Sequence, residues 1–486
     1  MKAKSFIFLI CCFNLIYGLS DEYEEETIII QGVADMTPTQ EYDNSVVKLI
    51  ETNFDMLYSN YIHFEHSNSP VAPNGDGYFV AFTDKNKYLH VLSYDENDKL
   101  LKDFNTKEKA YPVDITAINE GFAIYMIEAD SEYHSYLSLY NKSFKLVKTV
   151  QIMNNSAKDD KKVDSNTKKQ VMRYETNKEP VYGMRFMYHP DSGKLIYEFG
   201  RIILIFSHYN YFLDNGEHTG DSTVTFDSSL NNMDFGLTWG ASHSLIQSAV
   251  ADDLYFWTAA LSDAYPMGIK VTYTSRLKFK NTKDPVNNKK NQREYVVNEN
   301  LAGTIKGNMA GEADGKLGGL LYFKKHQIYC LIYAKTPNES DGKNRIYMTT
   351  WKFDIKSDKI TNTKTMTVKT LADGKNIGQV RAGKFGDDKV VIIYSETTEK
   401  GNFHGSVPKG TTPYLFVIDV LKLKRLKSDV KNNKLIMNTN EDLRTLGNGC
   451  LIWATSNKDG KLSINKIGRE GYIFVEPYDP DKINKT

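Results

Sequence analysis

The sequence predicts an all-β chain folded as a β-propeller of about seven blades, with six or eight also compatible with the spacing. Three observations lead there. A short motif recurs in which a Gly or polar turn runs into an apolar and aromatic stretch. It reads Gly77–Phe82, Gly121–Met126, Gly193–Phe199, Asp253–Thr258, Gln327–Ala334, Asp388–Ser395 and Gly449–Thr455. Second, polar turns separate short runs in the grammar of an antiparallel meander. Third, 31 Tyr and 24 Phe suit a half-buried pleated surface better than a helix. A sheet module this small cannot bury its own apolar face, so modules must stack on neighbours, and closure of the ring removes the exposed edges.

The N-terminus reads as a secretory signal over residues 1–20. Lys2 and Lys4 precede an apolar core from Phe6 to Tyr17, and Gly18 and Ser20 place small residues before a cut. A core of about twelve residues is too short to span roughly 30 Å of hydrocarbon, and no later stretch reaches eighteen apolar residues. No membrane span is expected after cleavage. Removing two of 61 basic residues leaves 59 against 61 acidic ones, a net charge near −2. That balance argues against nucleic acid as a partner. Residues 21–486 are expected to form one propeller domain, secreted or in the lumen of the secretory or endolysosomal pathway.

Along the chain, Ile28–Ile30 reads as a strand placed before the first clear blade. It is expected to close the ring beside Leu462–Ile467. Residues 44–60 have some helix-like spacing (Val46, Val47, Ile50, Phe54, Leu57), which also suits a strand. The clearest unit is 76–104: strand Gly77–Phe82, turn Asp84–Lys87, strand Tyr88–Tyr94, turn Asp95–Asp98, strand Lys99–Phe104. It repeats at 121–150, around Tyr347–Ile355, and at Lys461–Ile467. Residues 154–178 are polar and low in complexity, and read as a long solvated loop.

Two cysteines survive the cut, Cys330 and Cys450, each in a recurring strand. They are either one disulfide, if their blades are neighbours, or two buried thiols. Asn141, Asn154 and Asn338 lie in N-x-S/T sequons at turns and are candidate glycosylation sites; Asn484 has the same pattern near the end.

The segment from about 206 to 269 differs from the rest. It gathers His208, His218, Asp221, Trp239, Ser242, His243, Asp263 and Tyr265, with small residues between them. Three roles fit: a ligand pocket at the channel mouth, a metal site using His208, His218, Asp221 or His243, or a structural network between blades. No recognised nucleophile, zinc, calcium or phosphate-loop spacing is present, and no cofactor is expected. The run Trp239–Ser244, with Leu261–Pro266 and His218–Asp221, resembles a group of exported propeller-like microbial proteins without an established activity. The resemblance implies the fold and no reaction. The expected function is a binding module for a protein or glycan. The alternative is a hydrolase or lyase with a His/Asp site at the channel mouth.

Overall fold

The computed structural model describes residues 47–57, 60–61, 64–65, 69–129, 135–153, 175–176, 179–180, 190–198, 200–210, 218–238, 248–251, 255–262, 268–275, 292–299, 316–335, 343–398, 412–426, 430–431, 442–456 and 460–467. The described residues are almost entirely strand; the one helical element is a single 3-10 turn at Lys324–His326.

Among the described residues the strand pairings resolve into seven antiparallel blades, six of four strands and one with a split outer edge, besides two short pairs, Asn60–Tyr61 with Phe64–Glu65 and Glu175–Thr176 with Glu179–Pro180. Blade 1 is Val71–Asn74, Gly77–Thr83, Tyr88–Tyr94 and the first half of Leu100–Ile118. That nineteen-residue strand pairs with Tyr88–Tyr94 through residue 109 and with the next blade from Ala110 onward, so one strand serves two blades. Blade 2 is completed by Gly121–Glu128, Ser135–Asn141 and Leu146–Met153. Blade 3 is Pro190–Glu198, Arg201–Asn210, His218–Asp227 and Asn232–Thr238. Blade 4 is Ser248–Ala251, Tyr255–Ser262, Gly268–Ser275 and Gln292–Glu299. Blade 5 is Lys316–Phe323, Ile328–Lys335, Arg345–Asp354 and Lys359–Thr370. Blade 6 is Asn376–Phe385, Lys389–Thr397 and Thr412–Asp419, edged by Lys424–Arg425 and Val430–Lys431. Blade 7 is Arg444–Thr445, Leu451–Ser456, Lys461–Ile467 and, from the other end of the chain, Val47–Asp55.

Two features show that the blades form a closed ring. The first strand of each blade touches the first strand of the next, in cyclic order, and Arg444–Thr445 returns to Val71–Asn74. The apolar clusters follow the same order. Each joins two adjacent blades: 1 with 2, 2 with 3, 3 with 4, 4 with 5, 5 with 6, 6 with 7, and 7 back to 1. The core therefore lies between blades, and the chain is a seven-bladed β-propeller. Large side chains fill these seams. Trp257 of blade 4 packs on Tyr329 of blade 5 at 4.4 Å between ring centroids and stacks on Tyr273 at 4.6 Å. Offset and tilted ring pairs of this kind add roughly 0.5–1.5 kcal/mol beyond area burial.

Six of the seven recurring motifs are the second strand of a blade, and the one at Gly193 is a first strand. A second strand is flanked by strands on both edges and by neighbouring blades on both faces. It therefore reads as a continuous apolar run, as at Ile328–Lys335, where seven of eight residues are buried. Gly121 shows what the motif's glycine does. Its φ is +151°, and a Cβ there would collide with the carbonyl oxygen of Tyr140.

One expectation is corrected, and two open alternatives are decided. Ring closure does use an N-terminal strand, but the edge of Lys461–Ile467 is taken by Val47–Asp55, with Val47 opposite Ile467 and Ile50 opposite Ile464. Ile28–Ile30 lies outside the described residues. The helix-like spacing at 44–60 gives way to this strand, in which exposed Glu51 and Asn53 alternate with half-buried Thr52 and Phe54. Pairing across the ring outweighs a weak local helical preference. Cys330 and Cys450 are both free, buried thiols. They belong to blades 5 and 7, with blade 6 between them, and lie in different seams. Burial pushes the Cys330 thiol pKa well above the usual thiol range.

Candidate functional site

The meander sorts the connections onto two faces. Links between first and second strands, and between third and outer strands, lie on one face. Most are tight: 75–76, 119–120, 142–145, 228–231, 355–358, 386–388 and 420–423. The other face carries the links between second and third strands and between blades. These include 154–189, 211–217, 239–247, 263–267, 300–315, 336–344 and 398–411. We call these the turn face and the loop face.

The turn face is built by a repeated device. At the corners of blades 1, 2 and 3, Asp95, Asn141 and Asp227 each accept the backbone N–H groups two and four residues on. The residue three along, Asp98, Phe144 or Leu230, takes positive φ. A short acceptor side chain holds a turn whose last residue is left-handed. Asn141, one of the sequon candidates, stands here with its Oδ1 bound by Ser143 and Lys145 N–H at 2.9 and 3.0 Å.

Three of the sequence candidates stand near the loop-face ends of described strands. His208, His218 and Asp221 are placed at backbone level only, on the second and third strands of blade 3. Ser207 pairs with Asp221, His208 with Gly220, and Asn210 with His218. The pleat therefore puts positions 208 and 218 on one face of the blade and 221 on the other. Trp239, Ser242, His243, Asp263 and Tyr265 lie outside the described residues, as do Asn154 and Asn338. The strands flanking 239–247 and 263–267 end on the loop face of blades 3 and 4. Among the described residues, no group of three or more His, Cys, Asp and Glu is gathered to hold a metal ion.

The structure also assembles a charged layer in the channel that the sequence reading did not single out. Asp114, Lys194 and Arg381 each stand four residues before the last residue of the first strand of blades 2, 3 and 6. Arg444, on the first strand of blade 7, donates Nη2 to both carboxylate oxygens of Asp114 at 2.9 and 3.0 Å. Lys194 Nζ reaches Asp442 at 2.7 Å. Asp114 also accepts the N–H of Leu195 at 2.7 Å and of Ile115 at 2.9 Å. Arg381 donates Nη1 to the Leu317 carbonyl of blade 5 at 3.1 Å. Two of these links skip blades: Arg444 of blade 7 reaches Asp114 of blade 2, and Lys194 of blade 3 reaches Asp442 beside blade 7. Those two run across the channel and brace it, while the others join adjacent blades or stay within one strand.

Electrostatics agree with that geometry. Burial alone would raise the Asp442 carboxyl, but Lys194 and Arg444 outweigh it and hold it below the usual range. Burial opposes the Arg444 charge, and Asp114 and Asp442 overcome that, so the guanidinium is held more firmly charged. Lys384, on the first strand of blade 6, goes the other way: burial lowers it, and Asp387 and Glu198 compensate in part. In this layer Asp114 and Asp442 are held by cations, an arrangement suited to rigidity. The only sequence trace is a lone charge inside an apolar run, as in Val113-Asp114-Ile115 or Leu443-Arg444-Thr445.

Comparison with known proteins adds little. No described protein family matches the chain, and no curated protein matches it. Solved structures match in outline at very low identity. A mitotic checkpoint complex chain matches at 9% identity and TM-score 0.43, over 90% of this chain and 99% of that one. Sqt1 of Saccharomyces cerevisiae matches at 7% and 0.39, over 86% and 98%. A thermostable family-43 glycoside hydrolase matches at 10% and 0.28, over 56% and 87%.

Proposed function

We propose that this chain is an exported propeller that binds a protein or a glycan through its loop face. One observation carries the reading: the connections divide unequally. Tight turns, several locked by a side chain, make up most of one face, with 276–291 its one long connection, while most of the long connections and the His-, Asp- and Trp-rich segment of blades 3 and 4 attach to strand ends on the other. Rigid scaffolds commonly present recognition residues on such loops. The braced channel supports the same reading, since Asp114 and Asp442 are occupied by Arg444 and Lys194. The signal-like N-terminus supports export.

The test uses the secreted mature chain on a glycan array and as bait in its own culture medium. A ligand or partner should be retained, and alanine at His218, Asp221 or His243 should weaken retention without changing thermal unfolding. Blank results in both assays would overturn the reading. Turnover of a glycoside or ester that the same alanine variants abolish would assign the face to a hydrolase or lyase instead.

A further inference from the structure

The exposed apolar side chains are not scattered. Among the described residues, six large hydrophobic side chains stand open: Leu100, Leu101, Leu146, Val147, Ile355 and Leu421. Leu101, Val147 and Ile355 are 59%, 56% and 56% exposed. All six occupy one kind of position, the corner where a blade's third strand turns into its outer strand. Leu100 and Leu101 begin the outer strand of blade 1, and Leu146 and Val147 that of blade 2. Ile355 and Leu421 lie in the corresponding turns of blades 5 and 6. All four corners lie on the turn face, two on each side of the ring.

Exposed lysines stand at all four corners, in excess over acidic residues at blade 2. Residues 141–148 contain Lys142, Lys145 and Lys148 and no acidic residue, with exposed Glu120 of the adjacent turn 3.7 Å from Lys142. Residues 419–426 expose Lys422 and Lys424, Lys422 pairing with Asp419 at 3.7 Å, while Arg425 is buried. Lys99 and Lys102 flank the leucines of blade 1, with Glu96 and Asp103 also exposed beside them. There Asp98 is already neutralised by Lys48 and Lys466. At blade 5, Lys356 and Lys359 balance Asp354 and Asp358, and exposed Lys324 and Lys325 stand on the adjacent turn of the same blade.

We infer that the turn face docks on an anionic lipid surface, with these apolar tips entering the interfacial layer and the lysines facing headgroups. Apolar tips with adjacent lysines combine the two contributions that hold peripheral proteins to bilayers. Breadth decides the kind of partner. Tips at blades 1 and 2 and at blades 5 and 6 can be met together only by something wide and flat. The loop face would then point away from the lipid, free for its own partner. The inference is independent of what the loop face binds.

The test is co-sedimentation of the full mature chain with vesicles of phosphatidylcholine, with and without phosphatidylserine. Binding should require phosphatidylserine and fall with added salt. L101E with V147E should reduce partitioning roughly tenfold or more, and K145E with K422E should do the same. Both pairs change exposed positions, so unchanged thermal unfolding verifies the fold. Three results would overturn the inference. The wild-type chain could stay in the supernatant with phosphatidylserine vesicles. Both variant pairs could sediment like wild type. A concentration-dependent dimer, lost in the same variants and without vesicle binding, would assign the face to a second copy of the chain. A glycan on Asn141 of the mature protein would also count against it, because it would stand on the blade 2 corner.

Discussion

Replacing Asp114 by Ala should cost about 3 kcal/mol of stability. The carboxylate is 2% exposed and takes four bonds: two from Arg444 and one each from the N–H groups of Leu195 and Ile115. Breaking a buried ion pair from one side costs roughly 3–5 kcal/mol. Arg444 is a quarter open to the channel, so solvent would recover part of its lost partner and pull the estimate to the low end. Stranding the Leu195 N–H adds about 1–3 kcal/mol unless water reaches it. The assay is urea unfolding followed by tryptophan fluorescence, in a cycle of D114A, R444A and the double variant. Trp257, Trp351 and Trp453 are all fully buried, so the signal reports the seams. The cycle should show a coupling of about 2 kcal/mol, because the second deletion removes a charge that has already lost its closest partner and keeps only Asp442 at 3.4 Å. Additive single variants, or a D114A cost below about 1 kcal/mol, would refute the claim that the channel layer braces the ring.

I50P should cost more than about 3 kcal/mol, since proline breaks the ladder between Val47–Asp55 and Lys461–Ile467 at the ring's closure; equilibrium unfolding measures it. G121A should cost at least about 2 kcal/mol through both the left-handed φ and the contact with the Tyr140 carbonyl, read as a lowered urea midpoint. Acid titration should show stability falling as pH drops below about 4. Burial would raise the Asp98 carboxyl, but Lys48 and Lys466 hold it down, and Asp442 is likewise depressed. The unfolded chain binds these protons first, so the stabilisation is present above the unfolded carboxylate pKa of about 3.9 and is lost as pH falls through the lower folded values. D98N should flatten that slope, and an unchanged slope would remove Asp98 from the account.

Much of the fold was legible because seven modules repeat one physical requirement. Each needs a strand buried on every side, and such a strand announces itself as an apolar run. The corners were legible as polar turns, and their shared acceptor, seen at Asp95, Asn141 and Asp227, explains why the turns recur. What stayed hidden depends on partners remote in sequence. Val47–Asp55 finds its place only beside residues about 410 positions away. Asp114 and Arg444 are 330 residues apart, and each looks unremarkable locally. The candidate site was legible only as composition, because which strand ends share a face follows from ring geometry that no short window encodes. The register does separate positions 208 and 218 from 221, which the linear string had grouped.

Sharing the last blade between the two ends of the chain has a consequence for biosynthesis. Val47–Asp55 leaves the ribosome early, yet its pairing strand finishes only at Ile467, 412 residues later. At roughly 5–20 residues per second, that strand waits about 20–80 s with an unsatisfied edge. During that interval the edge is open to wrong pairing, and a chaperone that covered it would protect the chain. Cutting the chain in a loop and joining its present ends would abolish the delay, and such a permuted chain should acquire its native ring sooner after synthesis.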